Sequence, residues 1–548
     1  MKRAVAAILA LALLTSCGGA RTAETRNPDL IVTAWIAGPA GLNPLVSISS
    51  ASTMVEHLIY TPLIDLGADM LPRWSTSLAR KVDITDGGTR YVLHLRPARW
   101  SDGAPLDADD VVFTIRLAIN PNIIAGSTSD FTLMRSIRAL DSRTVEIRLR
   151  SPSPPFLLNA LANDTYPLPK HVLGKFSPDS KAEADFVNTD SAYNQNPLVS
   201  GPFRIERNVS NAYMVLARNP NYWGKPSILP EIAFRVYPQQ DSLYAAVDAG
   251  EVDVTDIPPN LWRVRKRLHG DYRFVNWPWN VTFYLLPNFR DPHIAFIKER
   301  AVRQAMMYAL NRRFIIDGIM SGQADVLNGP LPSFSPYYDP KVVRYGYDPA
   351  KARALLEAAG WHLHDGVRMK NGAALRITLT TGGATDAIAS NIAELIQENL
   401  KAVGIDCTLQ NEELQTFFDD LHHSRFQLAL RGRILGPYPD DYQTFGSAQT
   451  RENGGYNLGY YSNPQIDRLI EAARSAKDAA TARAALDRYQ ELAAVDVPAI
   501  FLYSNRLGAV VPSDLEGLGL TPLAPAALPM DLQFWHRAGK PTASGAPR

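Results

Sequence analysis

Hydrophobic spacing changes period repeatedly along the chain, and each change marks an element. Over residues 91–95, Leu93 and Leu95 alternate with His94 and Arg96, which predicts a half-buried strand. Ser101-Asp102-Gly103 and Pro105 form a turn, Asp107 is placed to cap a helix, and Asp110 stands three residues on as its capping-box partner. Val111, Val112, Ile115, Ala118 and Ile119 then recur at helical spacing, so that helix buries one face. Strands are also predicted over residues 30–34, ahead of a loop at 38–44, and over 230–238, where Ile232, Phe234 and Val236 alternate. Residues 241–249 read as a helix before Gly250, and 299–312 as another with Val302, Ala305, Met306 and Ala309 on one face. Asp348 and Pro349 open a further helix that Gly360 closes, while 54–60 reads as a helix of structural character.

The spacing over residues 375–409 carries a tertiary inference. Leu375, Ile377 and Leu379 alternate, Gly382-Gly383 breaks the strand, and Ile388, Ile392, Ile396, Leu400 and Val403 mark a helix ending at Gly404. Residues 405–409 form a second strand. This is a βαβ unit, with parallel strands and a right-handed crossover. Open α/β sheets bind ligands beyond the carboxyl ends of such strands, so a ligand site should face out from this unit. In the strand predicted over 426–433, Phe426, Leu428 and Leu430 take one face, and Arg431 shares the other with Arg433. Two guanidinium groups there either clamp a carboxylate or stand as solvated, ion-paired surface. A loop over 436–441, rich in proline and aspartate, follows.

Composition narrows the class. The 548 residues are 46% hydrophobic and 20% charged, an ordinary globular balance long enough for two or three folding units. A formal net charge of +1 gives no electrostatic case for nucleic acid. Met1-Lys2-Arg3 precedes an apolar run of about 11 residues, shorter than the roughly 20 that span a bilayer, so it reads as a secretory leader. That placement excludes cytoplasmic metabolism. Only 2 cysteines occur: Cys17, and Cys407 on the face of Ile405 and Leu409, which reads as core. No Cys-x-x-Cys, Gly-x-Ser-x-Gly, His-Glu-x-x-His or phosphate-loop pattern is present, and adjacent acid pairs such as Asp419-Asp420 point apart, so no enzyme, metal or cofactor is expected. His362, His364, His422 and His423 read as solvated.

Several segments resemble the bacterial extracellular solute-binding proteins of the peptide/nickel type, family five, the receptors of ABC importers. Residues 91–119 resemble its signature. Asn196-Pro197 with Gly201-Pro202-Phe203, Arg218 to Gly224 (RNPNYWG), Gly250 to Val254, Val302 to Ala305, Lys351 to Trp361 (KARALLEAAGW), Asn457 to Asp467 and Asp496-Val497-Pro498 follow in the family's order over nearly the whole mature chain. Leu14-Thr15-Ser16-Cys17 resembles a lipobox, which implies lipidation at Cys17 and a membrane tether in the cell envelope, facing the periplasm or exterior.

The resemblance implies an α/β, two-lobed periplasmic-binding-protein clamp of class II with an extra subdomain. Residues 1–17 would be leader and 18–27 linker. Lobe I would take 28–62, 196–270 and 495–538, with 63–195 inserted, and lobe II 271–494, leaving a disordered tail at 539–548. A monomer would capture a solute, most simply a peptide held through its main chain, and deliver it to a permease driven by ATPase subunits. A nickel chelate, haem, sugar or opine on the same scaffold, or a sensory role, are the alternatives; a secreted hydrolase is the different-class one. In many members an aspartate of a "DYPDP" loop pairs with the peptide α-amine. Ungapped matching puts Pro437 at that place, beside Tyr438, so either Asp440 or Asp441 substitutes or the ligand lacks the amine. Trp35 with Asn43 in the 38–44 loop, Trp277 and Trp279 near the crossover between lobes, and Tyr456 with Asn457 are the other implied ligand contacts, beside Arg431 and Arg433.

Overall fold

Strand after strand in the first half of the chain is short and antiparallel. In the computed structural model, which describes residues 30–539 apart from 48, 125–128, 163–164, 385, 525–527 and 529, chain order gives β1 (Leu30–Trp35), β2 (Ala79–Thr85), β3 (Arg90–Leu95), α1 (Ala108–Ala118), β4 (Met134–Asp141) and β5 (Thr144–Leu149). The leader with Cys17, the 18–27 linker and residues 540–548 lie outside the described residues. β6 (Phe203–Val209), β7 (Tyr213–Arg218) and β8 (Glu231–Val236) follow. Two four-stranded sheets result, β2-β3-β5-β4 and β1-β8-β7-β6, with β1 parallel to β8. Their inward faces, Leu93 and Leu95, Ile232 and Phe234, meet Val111 and Ile115 of α1 in a first core.

The start of α1 follows the capping logic of its sequence. Asp107 accepts from the Asp109 N–H at 2.9 Å, and Asp110 reaches back to the Asp107 N–H at 3.1 Å. Asp110 also accepts from Trp100 Nε1 at 3.1 Å and from the Lys170 N–H at 2.9 Å, so one buried carboxylate ties the helix to two other segments.

The second half builds one larger sheet. β9 (Thr255–Asp256), β10 (Tyr272–Pro287), β11 (Ala324–Val326), β12 (Arg376–Thr381), α2 (Ala387–Lys401), β13 (Asp406–Asn411), α3 (Leu414–His422), β14 (Leu428–Ile434), α4 (Pro464–Arg474), α5 (Ala479–Asp496) and β15 (Ile500–Pro512) appear in that order. Among the described residues the strands pair as β9-β15-β10-β14-β12-β13, with β11 also on β15. β12 and β13 are parallel, Ile377 opposite Cys407, with α2 as their crossover, so the βαβ unit is present. Burial pushes the Cys407 thiol up to about 12, as befits a core position. The helix read over 299–312 stops at Ala309, because Asn311 instead caps a new turn by accepting from the Phe314 N–H at 3.0 Å. β14 starts at Leu428; just before it the Gln427 main-chain carbonyl accepts from the Asn288 N–H at 2.8 Å and its side chain from the Thr378 N–H at 2.8 Å.

β10 and β15 were not anticipated as strands of this length. They pair antiparallel from Tyr272 opposite Pro512 to Leu285 opposite Ile500, with register shifts between Pro278 and Thr282 and between Phe283 and Tyr284. Val275, Trp277, Leu507 and Val511 belong to the first core. Tyr284, Leu285, Ile500 and Phe501 belong to a second. One strand pair therefore runs through both cores. The chain then returns, placing Leu515, Leu532 and Trp535 in the first core and pairing Asp531 with Arg73 at 2.6 Å.

Replacing Asp110 by alanine leaves its buried donors without an acceptor. Urea unfolding should show a loss of about 3 kcal/mol for Asp110→Ala, against about 1 kcal/mol for removing only the cap in Asp107→Ala.

Candidate binding site

The loop that leaves β14 is fixed at its start by the strand pair. Asn280, in the unpaired stretch of β10, donates from Nδ2 to the carbonyls of Leu435 (2.9 Å) and Gly436 (3.2 Å), and its own carbonyl accepts from the Leu435 N–H at 2.9 Å. Pro437, Tyr438 and Pro439 are buried. The Tyr438 ring meets Tyr337 edge-on at 4.9 Å and packs with Leu158, Ala473 and Leu486.

The two acids of the loop are both engaged within the protein. Asp440 accepts from Arg474 Nε at 2.8 Å and from the Tyr442 N–H at 3.0 Å; burial nevertheless pushes its carboxyl above the usual range, outweighing Arg474. Asp441 takes Arg433 Nη1 at 2.6 Å and the Tyr489 hydroxyl at 2.5 Å. Burial pulls the Arg433 guanidinium down, and the Asp441 charge more than offsets it. Burial, then the same carboxylate, holds the Tyr489 hydroxyl well above its ordinary value. Neither acid stands free as the counter-charge for a ligand amine.

Arg431 differs from Arg433. Its Nη1 is enclosed and has no hydrogen-bond partner among the described residues. The side chain lines an open cleft of about 440 Å³ with Gln415, Phe418, Asp419 (itself paired with Arg425), His422, Tyr456 and Leu458. Phe418 is 53% exposed and Tyr456 56%, so two aromatic faces stand uncovered beside a cation lacking an acceptor. Such a site suits an anion with an apolar group attached. This cleft lies beside the carboxyl-end half of β14, on the side where the βαβ reading put a ligand site.

The other residues implied by resemblance have structural engagements. Asn457 is 1% exposed, donating to the carbonyls of Gly446 (3.0 Å) and Tyr461 (2.8 Å) and accepting from the Tyr461 N–H (3.0 Å). Asn43 is buried, paired with Asn194 at 3.0 Å and with the Leu45 N–H at 3.1 Å. Trp35 stacks on Phe234 with centroids 4.3 Å apart. Trp277 and Trp279 donate to the carbonyls of Thr521 (3.1 Å) and Ala524 (3.0 Å), bracing the returning chain against β10. The carboxamides of Asn43 and Asn457 and the indole N–H groups of Trp277 and Trp279 thus have partners inside the protein, whereas Trp35 Nε1 is buried with none among the described residues. Sequence reasoning passed over Phe418, which sits on the amphipathic α3, and Asn159. The latter's carboxamide holds both main-chain groups of Tyr438, donating to its carbonyl at 3.1 Å and accepting from its N–H at 2.9 Å. The signal available for it was one polar residue inside the apolar run Phe156-Leu157-Leu158-Asn159-Ala160-Leu161.

Among the described residues no group of three or more His, Cys, Asp and Glu side chains converges as a metal site. His362 pairs with Glu357 at 2.5 Å and His423 with Asp419 at 3.1 Å. No helix among them is long and apolar enough to cross a membrane.

Comparison with known proteins places this geometry in context. Residues 73–456 match the model of the bacterial extracellular solute-binding proteins, family 5 (middle region). The chain is 26% identical over 550 residues to the oligopeptide-binding protein AppA of Bacillus subtilis, covering 94% of this chain and 96% of that one. It is 28% identical over 512 residues to the nickel-binding periplasmic protein of Escherichia coli, covering 91% and 93%. The structure of the Bacillus subtilis AppA in complex with a nonapeptide superposes with a TM-score of 0.73 over 93% of this chain and 99% of that one. That of the ABC transporter substrate-binding protein CtaP of Listeria monocytogenes does so at 0.79 over 93% and 99%, at 23% identity.

The two acid–arginine pairs should differ in weight. Asp441→Ala strands Arg433 in the interior and should cost about 4 kcal/mol. Asp440→Asn keeps the shape and removes a charge that burial already disfavours, so its cost should stay near 1 kcal/mol. Urea unfolding of the two variants at neutral pH checks the order.

Proposed function

The chain belongs to the bacterial extracellular solute-binding proteins of family 5, and on that footing we infer that the cleft beside Arg431 is where it holds its cargo. It is the solute-binding component of an ABC importer, capturing a peptide outside the cytoplasm and delivering it to a membrane permease coupled to ATPase subunits. Its role is transport, as for its family, and not catalysis. The observation that carries the site is the enclosed Arg431 Nη1 with no acceptor, flanked by the exposed rings of Phe418 and Tyr456. A carboxylate completes that guanidinium, and the rings cover an apolar side chain next to it. Two cores joined by β10 and β15 supply the clamp, and a ligand that touches both stabilises the closed arrangement.

A second reading has its own support. Asp440 and Asp441 are paired with Arg474 and Arg433, so the loop presents no free anion for an α-amine. This favours an N-blocked peptide or another carboxylate-bearing solute over a peptide with a free amine. Native mass spectrometry of the chain as purified, with identification of what accompanies it, separates the two. A series of unblocked peptides sinks the second reading, and a single non-peptide acid sinks the first. The lipobox-like Leu14 to Cys17 supports a lipid tether at Cys17, and Cys17→Ser should release the protein from the membrane fraction.

Arg431→Ala tests the site itself. Affinity for the co-purified solute should fall about 10- to 100-fold, the equivalent of one charge-assisted hydrogen bond. The unfolding midpoint should hold or rise, because the residue removed leaves a buried donor unsatisfied.

A further inference from the structure

The short π-helical turn Phe156–Leu161 follows Ser151-Pro152-Ser153-Pro154-Pro155 and divides its side chains between the first core and a small separate cluster. Phe156, Ala160 and Leu161 are buried in the first core. Leu158 packs instead on Tyr438, Ala473 and Leu486, at the loop that leaves β14. Asn159, beside it, bonds to both main-chain groups of Tyr438, at 3.1 Å and 2.9 Å. A carboxamide offers a donor and an acceptor side by side, as a peptide group does. The two bonds are therefore those that one residue of an antiparallel partner strand exchanges with the residue opposite.

Gly436 is shaped for this contact. A β-carbon there would stand 2.9 Å from Asn159 Oδ1 and 3.3 Å from Nδ2. Any side chain at 436 pushes the carboxamide off Tyr438.

We propose that Asn159 is a specificity-determining residue: by occupying both main-chain groups of Tyr438, on the loop that continues the strand of Arg431, it sets where a bound peptide must stop. The inference rests on the peptide reading above. A peptide that binds by strand addition needs free N–H and C=O groups on the wall. At Tyr438 it finds neither, and the adjoining acids are paired with Arg474 and Arg433. Extension past this point has no ladder bond and no counter-charge for a terminal amine. Short peptides, or those whose amine is blocked, lose nothing by this.

The test titrates the full chain and two variants with short, intermediate and long peptides of one repeating sequence, each free and N-acetylated. Asn159→Ala frees Tyr438, and long peptides should gain about tenfold in affinity relative to short ones. Asn159→Asp keeps the acceptor for the Tyr438 N–H, preserves volume and adds a carboxylate, so free-amine peptides should gain over acetylated ones. A folded variant in which affinity falls by one factor for all lengths, or in which the length profile is unchanged, overturns the proposal and leaves Asn159 as a closure contact. If Asn159→Ala fails to fold, Asn159→Asp alone decides through the free-to-acetylated ratio. Peptides that bind neither wild type nor variants overturn the peptide reading itself, and this inference with it.

Discussion

Everything else in the molecule hangs on the pairing of β10 with β15. A strand buries side chains on both sides of its sheet and cannot shorten or shear without breaking ladder bonds. Because Val275 and Trp277 sit in one core and Tyr284 and Leu285 in the other, the two cores share a continuous backbone element. Its regular pairing lapses most widely between Pro278 and Thr282, with a second register shift between Phe283 and Tyr284. Relative movement of the cores must be absorbed in that interval, where Pro278 has no N–H to contribute to a ladder. Asn280 sits within the lapse and bonds outward, to the carbonyls of Leu435 and Gly436 and, through its own N–H, to that of Pro522. The irregular interval is thus tied by hydrogen bonds to the loop that ends β14, so a shift at one is felt at the other.

The polar interior treats two neighbouring arginines of one strand differently. Arg433 and Arg431 alternate on the same face of β14; Arg433 Nη1 meets Asp441 at 2.6 Å although its Nε has no partner among the described residues, whereas Arg431 Nη1 has no partner among them and no acid of theirs pairs with Arg431. A buried guanidinium without an acceptor is unfavourable in the free protein. Structures keep such a defect where a ligand corrects it, and here two exposed rings stand beside it. The same reasoning removes Asn43 and Asn457 from the candidates. Their carboxamides already satisfy neighbouring main chain, so a ligand would have to break bonds to use them.

Much of the fold was legible because it is local. The capping box of Asp107 and Asp110 needs three residues of separation, and the βαβ unit over β12, α2 and β13 is a change of period within about 35 residues. The βαβ reading also pointed to the carboxyl ends of these strands, the side on which the cleft beside Arg431 opens. What escaped was long-range. β10 and β15 lie more than 200 residues apart, and Pro278 and Pro287 argue locally against a long strand. Ion-pair partners escaped for the same reason: nothing near Asp440 or Asp441 in sequence points to Arg474 or Tyr489. Trp277 and Trp279 lie within β10, the strand that reaches both cores. Their indole N–H groups, however, turn to Thr521 and Ala524, on a returning segment that local pattern does not reveal.

Closure of the clamp is the remaining quantity, and the contact between Asn159 and Tyr438 bounds it. Two neutral hydrogen bonds contribute about 2 kcal/mol net between them, a bias of roughly thirtyfold toward the arrangement in which the cores touch. Leu158 against Tyr438, Ala473 and Leu486 adds to that bias. A ligand moves the remaining equilibrium only by binding the closed form better than the open one. The more closure the protein supplies through its own residues, the less a ligand must supply through extended main-chain contact. A chain that substitutes a carboxamide for one residue of the ligand strand can therefore close on a smaller cargo. On the proposed site, selectivity would then rest on the groups left unsatisfied in the cleft, the Arg431 Nη1 among them.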